Sequence, residues 1–249
     1  LTAVFGHRGA RGERPENTIA GFAHARSLGL AGIECDIALT RDFVPVLHHD
    51  PELPQGSLIR DLSFAEVRRL APQVPTLLQA LETAPDMEWL IEIKTFPDAP
   101  KRSHGPEFIA EAVLGVLKNA AKMEQACILA FDWRVLTAVR QGREKIRTIC
   151  LTEPKTEHSR ELWWGSGFAE AATPQAVAQM NAYGWAPSHR SLTAEQVAQA
   201  RLLGLRIFPW TVNEVTEFQR LAPMVDGIIT DFPSRFVRST GRSGPCFGI

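Results

Sequence analysis

Short apolar runs rich in Val, Ile and Leu alternate along the chain with segments whose apolar residues recur every three or four positions. The runs predict strands at Ala3 to Phe5, Gly32 to Ile37, Trp89 to Ile93, Ala126 to Ala130, Ile146 to Leu151, Asn181 to Trp185, Leu205 to Trp210 and Gly227 to Thr230. The amphipathic segments predict helices at Asn17 to Leu28, Thr76 to Ala84, Pro106 to Ala120, Asp132 to Gln141, Thr193 to Leu203 and Glu214 to Leu221. Thr193 with Gln196 three residues later reads as a capping box, and Gly29 and Gly204 stand where helices should stop. Between Glu153 and Ala178 no clean period emerges, and Leu162-Trp163-Trp164 reads as part of a packed but irregular connection.

This alternation is the mark of βαβ units around a parallel sheet, and eight strands are what a closed barrel requires. The expected fold is therefore α/β, a (β/α)8 TIM barrel, with a doubly wound open sheet as the alternative. A short insertion follows the second strand at Val44 to Leu70, holding a strand at Val44 to Leu47 and a helix at Ser63 to Leu70. No repeat or linker divides the chain, so one domain over 1–249 is expected.

Composition narrows the reading. A chain of 249 residues is the usual size of such a barrel, and it buries roughly 70% of its unfolded surface without help from a metal or disulfide. Any metal is then expected to be functional. Lys and Arg number 27 against 28 Asp and Glu, a net charge of -1 with no basic stripe, which argues against a nucleic-acid partner. No apolar run approaches the roughly 20 residues that span a bilayer, so no stable membrane insertion is expected. Cys35, Cys127, Cys150 and Cys246 form no CxxC pair, and three sit in apolar stretches as reduced thiols would. That fits a cytoplasmic setting. The first residues enter a strand without the charged and apolar regions of a signal peptide, although a start at Leu1 leaves open a leader removed earlier.

In a parallel barrel, chemistry sits at the C-terminal ends of the strands. The second strand ends Ile33-Glu34-Cys35-Asp36-Ile37, where alternation puts Glu34 and Asp36 on one face and the apolar residues on the other. Two desolvated carboxylates need a cation or a proton, unless lysine and arginine side chains satisfy them. Glu92 and Lys94 share a face of the third strand, adding a third carboxylate and a fixed positive charge. An all-oxygen set favours Mg²⁺, Ca²⁺ or Mn²⁺ over zinc. The first strand leads into His7-Arg8-Gly9, a proton carrier beside a bidentate oxyanion clamp. His48 and His49 are both candidates for a second acid/base, and periodicity does not choose between them. His24, His104, His158 and His189 read as satisfied or exposed histidines, Arg11 and Arg14 as solvated loop residues, and Arg60, Asp61, Glu66, Arg68 and Arg69 as a charged helix face.

The runs His7-Arg8-Gly9, Pro15-Glu16-Asn17-Thr18, Glu34-Cys35-Asp36 and Val44-Pro45-Val46-Leu47-His48-His49-Asp50 resemble the glycerophosphodiester phosphodiesterase family. The likeness continues through Pro75-Thr76-Leu77, Glu92-Ile93-Lys94, Phe131-Asp132, Trp210-Thr211-Val212-Asn213 and Asp226 to Pro233. It implies a barrel that uses a divalent metal to hydrolyse small-molecule glycerophosphodiesters to glycerol 3-phosphate and an alcohol. By the same resemblance Glu34, Asp36 and Glu92 are the metal ligands, and His7 and His49 the acid/base pair. Arg8 and Lys94 then match phosphate-contacting positions, Glu16 and Asn17 the mouth motif, Trp210 the glycerol side, and Phe131 a substrate-lining position. Two departures stand out. Pro51 to Ser57 replaces the Arg-Thr-Thr run common in relatives, and Ala130 stands where serine is frequent.

Two rival readings remain. A phospholipase D or sphingomyelinase D type of lipid phosphodiesterase shares the His and carboxylate set, but Ser239 to Ile249 resembles no C-terminal plug of that group. A non-catalytic barrel serving as a binding module is disfavoured because all five metal and acid/base positions are present.

Overall fold

The computed structural model describes residues 2–142 and 145–240, with side chains as far as Val237. Cys246 and the tail reading from residue 241 onward lie outside the described residues. Strands are β1 (Ala3–Gly6), β2 (Gly32–Leu39), β3 (Pro45–Leu47), β4 (Glu88–Ile93), β5 (Ala126–Ala130), β6 (Arg147–Thr152), β7 (Gly184–Pro187), β8 (Arg206–Ile207) and β9 (Gly227–Thr230). The helices are α1 (Ile19–Ser27), α2 (Phe64–Leu70), α3 (Leu77–Thr83), α4 (Pro106–Asn119), α5 (Trp133–Gln141), α6 (Pro154–His158), α7 (Arg160–Trp163), α8 (Thr173–Gln179), α9 (Ala194–Leu202), α10 (Val215–Leu221) and α11 (Ser234–Thr240).

Eight strands run parallel in the order β8-β7-β6-β5-β4-β2-β1-β9, and β3 folds back antiparallel on the end of β2, pairing Ile37 with Leu47. The ring is nearly closed between β8 and β9 by the Asp226 N–H on the Ile207 carbonyl, the Ile229 N–H on the Pro209 carbonyl and the Val212 N–H on the Ile229 carbonyl. This is the expected (β/α)8 architecture rather than an open sheet.

Two layers of core follow from the alternation of each strand. Outward residues such as Ile33, Cys35, Ile37, Trp89 and Ile91 pack against Phe22, Leu77, Val113 and Leu136 of the helices. Inward residues Phe5, Leu90, Cys127, Leu129, Ile149 and Phe208 fill the barrel. Phe5 and Phe208 meet edge-to-face at 5.9 Å on its floor. Glycine makes room for these rings: a Cβ on Gly32 would lie 2.5 Å from Phe5, and one on Gly227 would lie 2.8 Å from both Phe5 and Phe208. The insertion has a small core of its own, with Val46, Leu53, Ile59 and Val67.

Local signals explain most boundaries. The Thr193 capping box forms, and Gly29 and Gly204 take left-handed φ values of +70° and +75° at helix ends. Three predictions fail for identifiable reasons. The strand expected at Asn181 to Trp185 begins only at Gly184, because Asn181 adopts φ +48° to end the α8 segment. The one expected at Leu205 to Trp210 is a regular strand only at Arg206–Ile207, although the Phe208 and Trp210 N–H groups still donate to the Trp185 and Pro187 carbonyls of β7; Pro209 between them has no N–H to offer the β9 side. The stretch read as irregular, Glu153 to Ala178, contains α6, α7 and α8, each too short to show a helical period, with Pro154 and Pro174 in the first turns of α6 and α8.

Candidate active site

At the C-terminal mouth of the barrel, β1, β2 and β4 bring His7, Arg8, Glu34, Asp36, Glu92 and Lys94 together. Parallel register sets Asp36 beside Glu92 and Glu34 beside Leu90. Carboxylate oxygens of Glu34, Asp36 and Glu92 all lie within 4.8 Å of one another. The three residues are buried, with 3%, 0% and 7% of their surface exposed.

Buried negative charge at this density is unstable unless opposed. Lys94 Nζ lies 2.6 Å from Glu92 Oε1 and 3.1 Å from Asp36 Oδ1. Arg8 Nε lies 3.1 Å from Asp36 Oδ2, and its Nη1 donates to Glu16 Oε1 at 3.0 Å. The Arg8 backbone N–H donates to Glu34 Oε2 at 2.8 Å. Asn17 braces Asp36 in both directions, donating to Oδ2 at 2.9 Å and accepting the Asp36 N–H at 3.2 Å. Arg8 and Asn17 hold left-handed φ values of +51° and +52°, a backbone cost typical of functional loops.

Titration differs sharply within the cluster. Burial pushes Glu34 well above the ordinary carboxylate range, with Asp36 and Glu92 adding to it. Burial also raises Glu92, to about 7, although Lys94 opposes the shift. For Asp36 the same burial is outweighed by Lys94 and Arg8, which hold it below its usual value. Lys94 stays charged because Asp36 and Glu92 overcome its burial. Once Glu34 and Glu92 ionise, three carboxylates against the two cations Arg8 and Lys94 leave one negative charge in excess. Asp36 Oδ1 also receives no aligned hydrogen bond. An all-oxygen donor set with this excess fits a hard divalent cation.

Both histidines face this cluster. His7 Nδ1 lies 2.6 Å from Asp231 Oδ1, which directs Nε2 into the cleft, 3.8 Å from Glu34 Oε2. Asn213 in turn donates to Asp231 Oδ2 at 2.8 Å. Of the two candidates after β3, His49 lines the cleft, with Nδ1 2.7 Å from Asp50 Oδ1, whereas His48 Nδ1 bonds the Asp50 carbonyl at 2.8 Å. Burial lowers the pKa of both His7 and His49. Phe131 and Trp210 meet edge-to-face at 5.5 Å on the opposite wall, and the Trp210 indole N–H donates to the Ala186 carbonyl at 2.9 Å. The cleft encloses about 420 Å³, a size suited to a small ligand.

Some side chains were read too blandly. Arg11 is exposed in a turn, as expected, and it also lines the cleft, 3.3 Å from Glu16 and 3.8 Å from Asp231. Arg60 does not belong to a charged helix face but reaches the Ser103 carbonyl at 2.6 Å, tying the insertion to the loop after β4. Trp164 is core, stacked on Trp133 at 4.2 Å, while Trp163 reaches the cleft. Asp231, Asn213 and Asp50 carried no assigned role, yet they hold the histidines. Their signal was present as positions inside the family-like runs, but the partner of Asp231 lies 224 residues away.

The model of the glycerophosphoryl diester phosphodiesterase family matches residues 7–235. A glycerophosphodiester phosphodiesterase of Caldanaerobacter subterraneus subsp. tengcongensis is 28% identical, covering 98% of this chain and 99% of its own. Another, from Bacillus subtilis, is 26% identical over 92% of this chain and 83% of its own. Among solved structures, a putative glycerophosphoryl diester phosphodiesterase of Silicibacter pomeroyi superposes with TM-score 0.82 at 29% identity, covering 98% of this chain and 95% of that one. An Oleispira antarctica phosphodiesterase in complex with its product sn-glycerol-3-phosphate shares the fold, with TM-score 0.78, 22% identity and 96% of each chain covered.

Proposed function

The chain belongs to the glycerophosphoryl diester phosphodiesterase family, and we propose that it hydrolyses glycerophosphodiesters to glycerol 3-phosphate and an alcohol with a divalent cation held by Glu34, Asp36 and Glu92. The observation that carries this reading is the buried carboxylate cluster flanked by two histidines, each with its own carboxylate partner. When bound, a divalent cation supplies positive charge to the phosphate oxygens and lowers the pKa of an oxygen atom it holds.

The chain's own residues do the remaining work. Arg8 and Lys94 stabilise the charge that grows on the phosphoryl oxygens as a nucleophile adds. His7, desolvated and fixed by Asp231, is neutral near pH 7 and takes the proton from the attacking hydroxyl through Nε2. His49, whose pKa burial and Lys94 lower while Asp36 and Asp50 oppose them, must enter the cycle protonated to give a proton to the departing alkoxide. As in similar enzymes, the attacker is taken to be the substrate's own glycerol hydroxyl. Its oxygen forms a bond to phosphorus as the alcohol leaves, and water then opens the cyclic phosphate with the histidine roles reversed. Glu16 and Asn17 hold Arg8 and Asp36 in place, and Phe131 with Trp210 lines the glycerol side.

One domain is proposed to carry the activity, because the ring pairs β1 with both β2 and β9. No helix among the described residues is long and apolar enough to cross a membrane. Cys35, Cys127 and Cys150 are buried, which supports a reducing, cytoplasmic setting. The test is release of glycerol 3-phosphate from glycerophosphocholine with added Mg²⁺, Ca²⁺ or Mn²⁺. Release that stops on chelation is expected, and release that persists would refute the metal-dependent reading. Preference for lysophosphatidylcholine over glycerophosphocholine would favour the lipid phosphodiesterase instead.

A further inference from the structure

Residues 8–17 lie between β1 and α1, and both ends of this loop grip the carboxylate cluster. Arg8 donates its backbone N–H to Glu34 and brings its guanidinium to Asp36, while Asn17 holds Asp36 by two hydrogen bonds. The Asn17 N–H closes the neck of the loop on the Arg8 carbonyl at 2.9 Å. Neither residue belongs to a strand or helix, and both hold left-handed φ values, which persist only where surrounding contacts over-determine them. Those contacts lie farther out along the loop. Gly9, at φ +92°, sits so close to α1 that a Cβ there would lie 3.0 Å from the Gly21 carbonyl carbon, and a Cβ on Gly12 would overlap the Phe232 ring. The Gly12 N–H donates to the Asp231 carbonyl at 2.9 Å.

Glu13, from the same loop, bonds two helices at once. Its Oε2 lies 2.6 Å from His24 Nε2 on α1, and its Oε1 accepts the Ser234 N–H, at the start of α11, at 3.0 Å. Only 13% of the Glu13 side chain and 20% of the His24 side chain are exposed, so water competes little for these bonds. Burial would raise the Glu13 carboxyl, but the bonds from His24 and Ser234 outweigh it and hold it below its usual value. We propose that Glu13 is a positioning residue: by tying the loop to α1 and α11 it keeps Arg8 and Asn17 in the backbone conformation that grips Glu34 and Asp36. Its carboxylate is spent on His24 and Ser234, so it acts through the loop backbone and touches no reacting group. The effect on turnover rests on the diesterase reading above; the effect on the loop does not.

Hydrogen exchange followed by mass spectrometry on the full chain reads the loop directly, in the unaltered protein, Glu13→Ala and Glu13→Gln. In Glu13→Ala the amides of residues 8–17 are expected to exchange about tenfold faster while β4 and β5 keep their protection. Glu13→Gln, which keeps an acceptor for the Ser234 N–H, is expected to recover most of that protection. Unchanged exchange in the loop overturns the assignment, and equal acceleration throughout the barrel makes Glu13 a support of global stability and also overturns it. For glycerophosphocholine with Mn²⁺, Glu13→Ala is expected to lower kcat about tenfold and leave KM within about twofold, because Arg8 acts as charge grows on the phosphoryl group. Recovery of kcat in Glu13→Gln supports the assignment; a loosened loop with unchanged kcat, whatever happens to KM, overturns it. A chain that hydrolyses nothing loses the diesterase reading, and exchange in residues 8–17 still decides whether Glu13 holds the loop. If Glu13→Ala does not fold, His24→Ala, which cuts only the tie to α1, is read by the same two measurements.

Discussion

The two halves of the barrel mouth are built on opposite principles. At the ends of β1, β2 and β4, charge is packed densely and nearly every polar atom is held by another, with Asn17 gripping Asp36 and Asp231 gripping His7. Across the cleft the ends of β5 to β8 present Phe131, Trp163 and Trp210 with few polar contacts. The loops there are joined by exposed ion pairs such as Lys155 with Asp98. The difference shows how one scaffold separates chemistry from selection. Groups that must hold charge in a low dielectric need rigid, pre-oriented partners, which strand ends supply. Groups that only sort substrates tolerate longer loops.

If that division holds, damage should grade with position. Replacing Glu34 by Ala removes a proposed cation ligand and leaves Asp36 and Glu92 facing Lys94 and Arg8 alone. Turnover is expected to fall by more than about 10³-fold, measured as initial rates over a range of cation concentrations. Recovery of most activity at high cation would place Glu34 outside the liganding set.

His7→Ala comes next, with a loss of about 10² to 10⁴-fold from removal of the proposed general base. Asp231→Asn should cost less, on the order of tenfold, because the imidazole remains but loses its orienting carboxylate. Asp231 raises the His7 pKa against the effect of burial, so the acid limb of the kcat/KM profile should shift to lower pH in this variant. A rate loss without that shift would mean that Asp231 supports the fold and not the base.

Cation affinity offers a subtler test. Glu92 titrates at about 7 in the cation-free cluster, mainly through burial, and only its ionised form binds a metal. Lowering the pH through 7 should therefore weaken cation binding by up to about tenfold per pH unit, with proton release on binding. Calorimetry in two buffers of different ionisation enthalpy measures this directly, and equal heats in both would contradict it. On the other side of the cleft, Lys155→Ala breaks an exposed pair with Asp98, and a change in stability of less than about 1 kcal/mol is expected by denaturant unfolding. A larger cost would show that the outer half is as tightly engineered as the inner one.

Much of the inner half was legible in the chain. Glu34 and Asp36, two apart between apolar neighbours, had to share a face of their strand, and the same period placed Glu92 with Lys94. The family-like runs then separated His49 from His48, which periodicity did not. The outer half was harder to read, because Lys155 and Trp163 sit in a stretch whose helices of four and five residues carry no measurable period. Arg60 was misjudged because a local sequence shows a charge but not its distant partner.

By itself the sequence determined the architecture and the clustering of Glu34, Asp36 and Glu92 at the strand ends, since strand alternation and helix caps are local and depend on residues a few positions apart. Closure of the ring lay beyond that reach. Only when β1 pairs with both β2 and β9 does Asp231 meet His7, and only when the loops after β4 and β6 come side by side does Glu153 share a cleft with Phe96. Such contacts join residues tens to hundreds of positions apart, and they depend on how the strands are arranged around the barrel, which no local pattern records.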